Sequence, residues 1–396
     1  MATKTADVVI IGGGVTGVSL AFHLARRGVH RVMVLERRFL ACGGTGLSVG
    51  ILRQLYPTPE TSRMVLHSLR VFQHFGELVG GDAGYVQCGA IIVVAADQRA
   101  ALARNLELQR TVGIQVQLLA PEEIRELDPR IDPFEVGAAV FEPESGYGDP
   151  TGVTQGYAQT ARALGVQIEQ MSEVVAVRAE GDRVVGVRTG AGEEIATRAV
   201  VNAAGLWSNQ VAAMVGLRLP IVIGRHPVFI VKRTPDFGQV HPVYLDLARG
   251  TYLRPETGEL TLTGSLDDDE TQHPMDPETI GADVNFAEVA PSLEKATRAM
   301  PVLEGASYHG GYAGAYDITP DWMPILDETP IRGFYVAAGM SGHGLKLAPA
   351  VGYVMAELIT EGRAGLVDLA PFRLARFRAP GRAAVAGSFV SSYLGS

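Results

Sequence analysis

The sequence predicts an α/β protein: a largely parallel sheet with helices on its faces, interleaved with a second, mostly antiparallel α+β layer. Three observations carry that expectation. A β-branched run passes through glycines into a helix near residue 12, and the same order returns near residue 339. Between them lie short apolar runs separated by turn residues, the spacing of antiparallel hairpins. The 396 residues are 47% apolar and 19% charged, a balance that builds a large core and more than one lobe.

The first element is Asp7-Val8-Val9-Ile10-Ile11, read as a buried parallel strand. It runs into Gly12-Gly13-Gly14-Val15-Thr16-Gly17, which fits G-x-G-x-x-G at Gly12, Gly14 and Gly17. Val18, Ala21, Phe22, Leu24 and Ala25 then supply the apolar side of a helix that Gly28 stops. A second strand, Arg31 to Leu35, ends at Glu36. Small glycines let a pyrophosphate sit against a helix N-terminus, where free N–H groups favour negative charge. A carboxylate at the second strand's end accepts hydrogen bonds from ribose hydroxyls. Strand, glycines, helix, strand and acid in that order predict a dinucleotide site. Whether it holds NAD or FAD is left open by the motif.

A second glycine loop, Gly43-Gly44-Thr45-Gly46, follows the acid and is placed to pass the far phosphate and a reactive ring. Beyond it Arg53 stands among Ile51, Leu52 and Leu55, a buried charge in need of a partner. Helices are expected over 60–79, 98–111 and 121–127, the last a solvated polar face, with a strand over 89–95 between the first two. Residues 142–150 read as loop and 151–164 as helix. Strands at 165–169 and 174–177, hairpins at Gly181-Asp182 and Ala191-Gly192, and a strand at 199–201 read as a small antiparallel layer. Asn202-Ala203-Ala204-Gly205 opens a helix containing Trp207; its small residues admit either a phosphate or ring, or tight helix–sheet packing. Strands at 227–231, 251–254 and 260–263 follow. Asp267-Asp268-Asp269-Glu270 reads as a solvated loop, because four adjacent acids cannot converge on one ion.

The last motif is the strand Phe334-Tyr335-Val336-Ala337-Ala338 entering Gly339-Met340-Ser341-Gly342-His343-Gly344-Leu345-Lys346, with a helix expected from Pro349 to Thr360. Lysine is rare here: Lys4, Lys232, Lys295 and Lys346 are all there are. One of the four falls in a glycine loop aimed at a helix N-terminus, where positive charge stabilises an anionic reduced ring. His343 is read as lining that site rather than as a base.

Composition excludes several classes. A net charge of −9 without basic runs argues against nucleic acid. The longest apolar stretch, 8–25, is broken by four glycines and a histidine, so no membrane span or signal peptide is expected, and a cytoplasmic location is. Cys42 and Cys88 are too few for a disulfide scaffold or a zinc site, and no metal is expected.

Together these segments, with Tyr316-Asp317-Ile318-Thr319-Pro320-Asp321, resemble the D-amino-acid oxidase superfamily of flavoproteins, and within it the sarcosine oxidase and dimethylglycine dehydrogenase branch. The resemblance implies a Rossmann-like FAD-binding domain (1–85, 140–217 and 311–375) interleaved with a mostly antiparallel α+β substrate domain (86–139 and 218–310), and a C-terminal tail (376–396). By the same resemblance, Gly12, Gly13, Gly14, Gly17, Glu36 and Arg37 belong to the adenosine and pyrophosphate site, Thr45 and Gly46 to the ribityl and flavin loop, and Val174 pairs adenine through its backbone. Ala203 and Gly205 border the cofactor, and Gly339, Gly342, Gly344 and Lys346 the flavin side. Arg53 and Lys346 look like the pair that grips a substrate carboxylate, with Tyr316, Tyr252 and His343 walling the site. The implied reaction is oxidation of a small amino acid, such as sarcosine, glycine, proline or another N-alkyl amino acid, to an imine. No cysteine follows Cys88 and no histidine lies between His30 and His67, so noncovalent FAD is expected. No lysine stands at 260–263, where oxygen-activating relatives carry one. The electron acceptor is therefore either oxygen or a partner redox protein, the latter fitting a flavin-bearing β-type subunit. A nicotinamide dehydrogenase without flavin is the other rival.

Overall fold

A computed structural model describes residues 4–267, 275–280, 283–378 and 391–394. Its centre is a six-stranded sheet in the order Ile325–Glu328, Phe334–Ala338, Val200–Asn202, Val8–Ile11, Val32–Leu35 and Gln167–Glu169. All neighbours are parallel except the Ile325–Glu328 edge. Alternation along the strand Val8–Ile11 serves both faces. Val8 and Ile10 join the core under the helices, while Val9 and Ile11 face the hairpin layer. On the helical face, Val15–Arg26 packs against Pro150–Ala163 and Gly344–Glu361. The last contact is close: a Cβ on Gly352 would lie 2.2 Å from Ser19 Oγ, and that hydroxyl donates to the Ala348 carbonyl at 2.9 Å.

The strands expected at 165–169 and 199–201 do not belong to the hairpin layer: Gln167–Glu169 is the edge of the parallel sheet beside Val32–Leu35, and Val200–Asn202 lies between Val8–Ile11 and Phe334–Ala338. The hairpin layer takes Lys4–Thr5 as its edge instead, beside Glu194–Ala196, Arg183–Thr189 and Val174–Glu180. The final helix starts at Gly344, so Pro349 sits inside it. Burial of Leu345, Leu347, Ala348 and Ala350 outweighs the one hydrogen bond the proline forfeits.

The second layer is an eight-stranded sheet ordered Ser307–Ile318, Val222–Lys232, Leu260–Ser265, Thr251–Glu256, Val243–Asp246, Ala90–Val94, Ala138–Glu142 and Gln117–Leu119. Only the pair Val243–Asp246 and Ala90–Val94 is parallel. Its outer face packs Ile91, Val93, Tyr244 and Leu253 against Ala296 and Ala299 of the helix Phe286–Ala299. Its strands Ala138–Glu142 and Ser307–Ile318 run across the expected domain limits at 139/140 and 310/311. Residues 142–150 are a loop interrupted by the short strand Gly146–Tyr147, which pairs with Ile51–Leu52, and Glu142 at its start is fully buried. Of the acidic run, Asp267 pairs with Lys295, and 268–270 lie outside the described residues. No helix among the described residues is long and apolar enough to cross a membrane, and no cluster among them could hold a metal ion.

Candidate active site

Four of the predicted positions follow the carboxyl ends of parallel strands: Gly12 after Ile11, Glu36 after Leu35, Ala203 after Asn202, and Gly339 after Ala338. Ligands of open α/β sheets bind beyond those ends. A cleft of about 1780 Å³, open mouth included, begins there and continues under the inner face of the eight-stranded sheet.

At its first end the helix Val15–Arg26 starts from Gly14 with no side-chain cap and no acid in its first turn. Gly12 holds φ +115°, and a Cβ on it would lie 2.4 Å from the Ala203 carbonyl. Glu36 accepts from the Gly13 amide at 2.7 Å and the Arg38 amide at 2.8 Å, which fixes its carboxylate along the cleft. Thr45 Oγ1 accepts from the Val15 amide at 3.2 Å, so this side chain already covers one helix-end donor. Arg37 is less available than the sequence suggests. Its guanidinium donates to Glu278 at 2.6 and 3.1 Å and lies 4.8 Å from the Trp207 ring centroid, while Trp207 Nε1 donates to the same carboxylate.

At the other end the helix Gly344–Glu361 starts from His343, again without a side-chain cap or a first-turn acid. Arg53, 1% exposed, and Lys346, 7% exposed, line this end together with His343, Tyr316 and Tyr252. Lys346 Nζ donates to the Gly342 carbonyl at 3.2 Å. Burial first, then the Arg53 guanidinium, pulls the Lys346 ammonium well below lysine's usual range. Burial, Lys346 and Arg53 pull His343 down in the same way. Its Nδ1 takes the Tyr56 O–H at 3.0 Å, with Arg53 at 3.5 Å. The Tyr56 hydroxyl can donate or accept, but the guanidinium can only donate, which favours Nδ1 as the acceptor and the proton on Nε2; Nε2 has no partner among the described residues.

The remaining candidates divide. Gly12, Gly14, Val174, Ala203, Gly205, Gly342 and Gly344 line the cleft, as do Thr45, Arg37 and Glu36. Gly13, Gly17, Gly46 and Gly339 do not, and packing accounts for them. A Cβ on Gly17 would meet the Gly12 carbonyl at 2.0 Å, one on Gly46 the Ala41 carbonyl at 2.4 Å. Gly13 and Gly339 give their amides to Glu36 and, at 2.8 Å, to Asp317.

Sequence reasoning passed over His226, Tyr56, Glu142 and Tyr393. His226 stacks on Tyr316 with centroids 4.5 Å apart and leaves Nδ1 buried without a partner. In an apolar strand it reads as core, and no local signal separates the two. Tyr56 stands three residues after Arg53, and that nearness is the one local signal that points to it. Glu142 accepts from the Gln54 amide at 2.7 Å and Ser145 Oγ at 2.6 Å; burial pushes its carboxyl up against the smaller opposing pull of those donors and Arg53.

The DAO family of FAD-dependent oxidoreductases matches residues 7–358, and the chain belongs to it. It is 30% identical over 370 residues to mitochondrial sarcosine dehydrogenase of Homo sapiens, covering 91% of this chain and 40% of that one. The chain thus spans less than half the length of the human and mouse sarcosine dehydrogenases that it matches. The crystal structure of L-proline dehydrogenase from P. horikoshii superposes with a TM-score of 0.86 at 30% identity, covering 95% of this chain and 99% of that one. Glycine oxidase from Geobacillus kaustophilus gives 0.80 at 28% identity, covering 94% and 99%. FAD is therefore the cofactor. The cleft fits it: helix N-termini with no acid in their first turns at both extremities, a carboxylate between strand and loop, and His343 Nε2 and His226 Nδ1 buried without a partner among the described residues.

Proposed function

We propose that the chain oxidises a small α-amino acid (glycine, sarcosine, proline or a related N-alkyl amino acid) to its imine, which water then hydrolyses. One observation carries this reading: Arg53 and Lys346 are buried side by side at one end of the cleft, each lowering the charged form of its neighbours. A buried guanidinium beside a lysine whose ammonium is disfavoured calls for an anion: a carboxylate between them favours the lysine's charged form and gains charge-assisted hydrogen bonds. Gly12, Gly14, Glu36, Val174, Ala203 and Gly205 would hold the adenosine and pyrophosphate portion, and Gly342, Gly344 and Lys346 the ring. Bound FAD supplies the acceptor for the hydride lost from the carbon next to nitrogen.

The residues do the rest. Arg53 and Lys346 fix the carboxylate and so the direction of the C–H bond. Their positive field also favours the neutral amine, whose lone pair forms the C=N bond as the hydride leaves. Tyr316 and Tyr252 flank His226 in a stack, a rigid wall that keeps bulk water off the reacting carbon. Arg53 beside Nδ1 favours the His343 proton on Nε2, a neutral donor facing the bound groups. No side chain is required as a base. The FAD is held noncovalently in this reading. Cys42, which lines the cleft, has its thiol pushed up to about 11 by burial and Glu36, far from a nucleophile's range.

A flavin-bearing subunit that passes electrons to a partner redox protein is the second reading. Lys295 favours it: this lysine turns to Asp267 instead of the cleft, where Lys346 is the only lysine among the described lining residues.

An anaerobic screen of amino acids, read by flavin bleaching and followed by admission of air, tests both readings. Bleaching with rapid recovery in air supports an oxidase; bleaching that persists until an artificial acceptor is added supports the subunit. Arg53→Met and Lys346→Met are each expected to raise KM on the order of 10- to 100-fold with FAD retained, the loss of a charged hydrogen bond. Unchanged KM in both variants removes the carboxylate site.

A further inference from the structure

Resting on that carboxylate reading, we propose that Tyr393 is a positioning residue for Arg53: the C-terminal segment returns to the cleft, and its ring fixes the guanidinium that receives the substrate's acid group. Residues 376–396 read as a tail in the sequence, yet Tyr393 is 3% exposed and lines the cleft. The Arg53 guanidinium carbon lies 3.5 Å from the Tyr393 ring centroid and 4.4 Å from that of Tyr56. Two aromatic rings therefore approach the same planar cation.

The geometry separates two uses of one group. An aromatic ring engages a guanidinium through its π face, whereas a carboxylate takes its N–H groups in the plane, so ring and substrate do not compete for the same positions. Arg53 already gives N–H groups to the Leu55 carbonyl and to the Tyr393 hydroxyl, and faces His343 Nδ1 at 3.5 Å. Holding the plane with rings and that carbonyl removes rotamer freedom before substrate arrives, which strengthens binding without a new contact to the substrate. The segment is anchored from outside the cleft: buried Asn105, on the helix Arg99–Val112, donates through Nδ2 to the Tyr393 carbonyl at 2.9 Å. Leu394 is buried in the same core as Leu102 and Leu106 of that helix.

The holoenzyme and its variants provide the test, with acetate as a non-oxidisable probe read by the change in visible flavin absorbance. Tyr393→Ala is expected to raise the acetate Kd and the amino-acid KM about tenfold, as loss of a desolvated cation–π contact implies, with little change in kcat. Tyr393→Phe, which keeps the ring, restores most of that loss. Asn105→Ala, which frees the segment without touching the cleft, moves KM the same way by less. FAD content and Tm measured alongside separate this from misfolding. Arg53→Met that weakens acetate while Tyr393→Ala leaves it unchanged overturns this inference alone. Acetate binding that tightens in Tyr393→Ala also overturns it, because the ring is then a plug that competes with substrate. If Arg53→Met leaves acetate binding intact, the carboxylate reading falls and takes this one with it.

Discussion

The cleft is built from two turns of the same kind that do opposite electrostatic work. Each joins a parallel strand to a helix through glycines, and each helix begins with no side-chain cap from the residue before it and no acid in its first turn. At the first turn the neighbouring side chain is a carboxylate, Glu36, and the positive character comes from backbone amides alone. At the second, two buried basic side chains, Arg53 and Lys346, stand at the helix end, and burial with the Arg53 guanidinium nearby disfavours the lysine's ammonium. The backbone supplies a modest, permanent attraction for anions. Side chains decide whether that attraction positions a group of fixed structure or one that must be exchanged at every turnover.

Replacing the glycines separates the two turns most sharply. Gly12→Ala puts a Cβ against backbone at a positive φ, and backbone cannot step aside. It is expected to cost about 3 kcal/mol or more and to abolish FAD retention, measured by denaturant unfolding and the flavin-to-protein absorbance ratio. Gly342→Ala, at φ +78°, meets only the Tyr316 ring at 3.1 Å. About 1 kcal/mol is expected there, with the effect appearing in KM instead of FAD content. Equal losses in the two variants would dissolve the contrast.

Next in size is the acid under the second turn. Burial pushes the Asp317 carboxyl up to about 6, against backbone amides that favour its charged form. A value raised on folding means that the native state binds more protons than the unfolded chain between about pH 4 and 6, so this group's contribution to stability falls as pH rises through that window. Asp317→Asn keeps an acceptor for the Gly339 amide and removes the titration. The stability difference between wild type and variant should therefore shift by about 2 kcal/mol from pH 4 to pH 7 in favour of the variant. A flat difference would place the proton elsewhere. Smallest is Glu36→Gln, which retains an acceptor for the Gly13 amide but loses the charge beside the cleft; FAD Kd is expected to rise on the order of tenfold by titration of apoprotein. No change there would mean that the first turn works through its amides alone.

The two turns were also unequally legible in the sequence. Motif spacing located Gly12, Gly14, Glu36 and the loop at 339–346, because close approach and a positive φ demand particular residue types at fixed intervals. The helix after the second turn was misplaced, since a proline rule about local donors yields to burial of the preceding turn. The strand Ser307–Ile318 escaped notice through Gly310, Gly311 and Gly314, poor strand formers in isolation. It nonetheless pairs along Val222–Lys232, and a Cβ at Gly311 would lie 2.7 Å from the Val228 carbonyl. His226 and Tyr393 were invisible for another reason. Their partners stand far away in the chain, and nothing at short range marks an aromatic side chain as facing a cleft instead of a core.

The strand Val200–Asn202 lies between two neighbours that are about 190 residues before it and 135 after it. During synthesis it cannot acquire its second neighbour until residue 338 has emerged. The first glycine turn is made early but must wait, with half its sheet absent, for nearly the whole chain. Nascent fragments thus carry an unpaired strand edge at Val200–Asn202 until that last neighbour arrives.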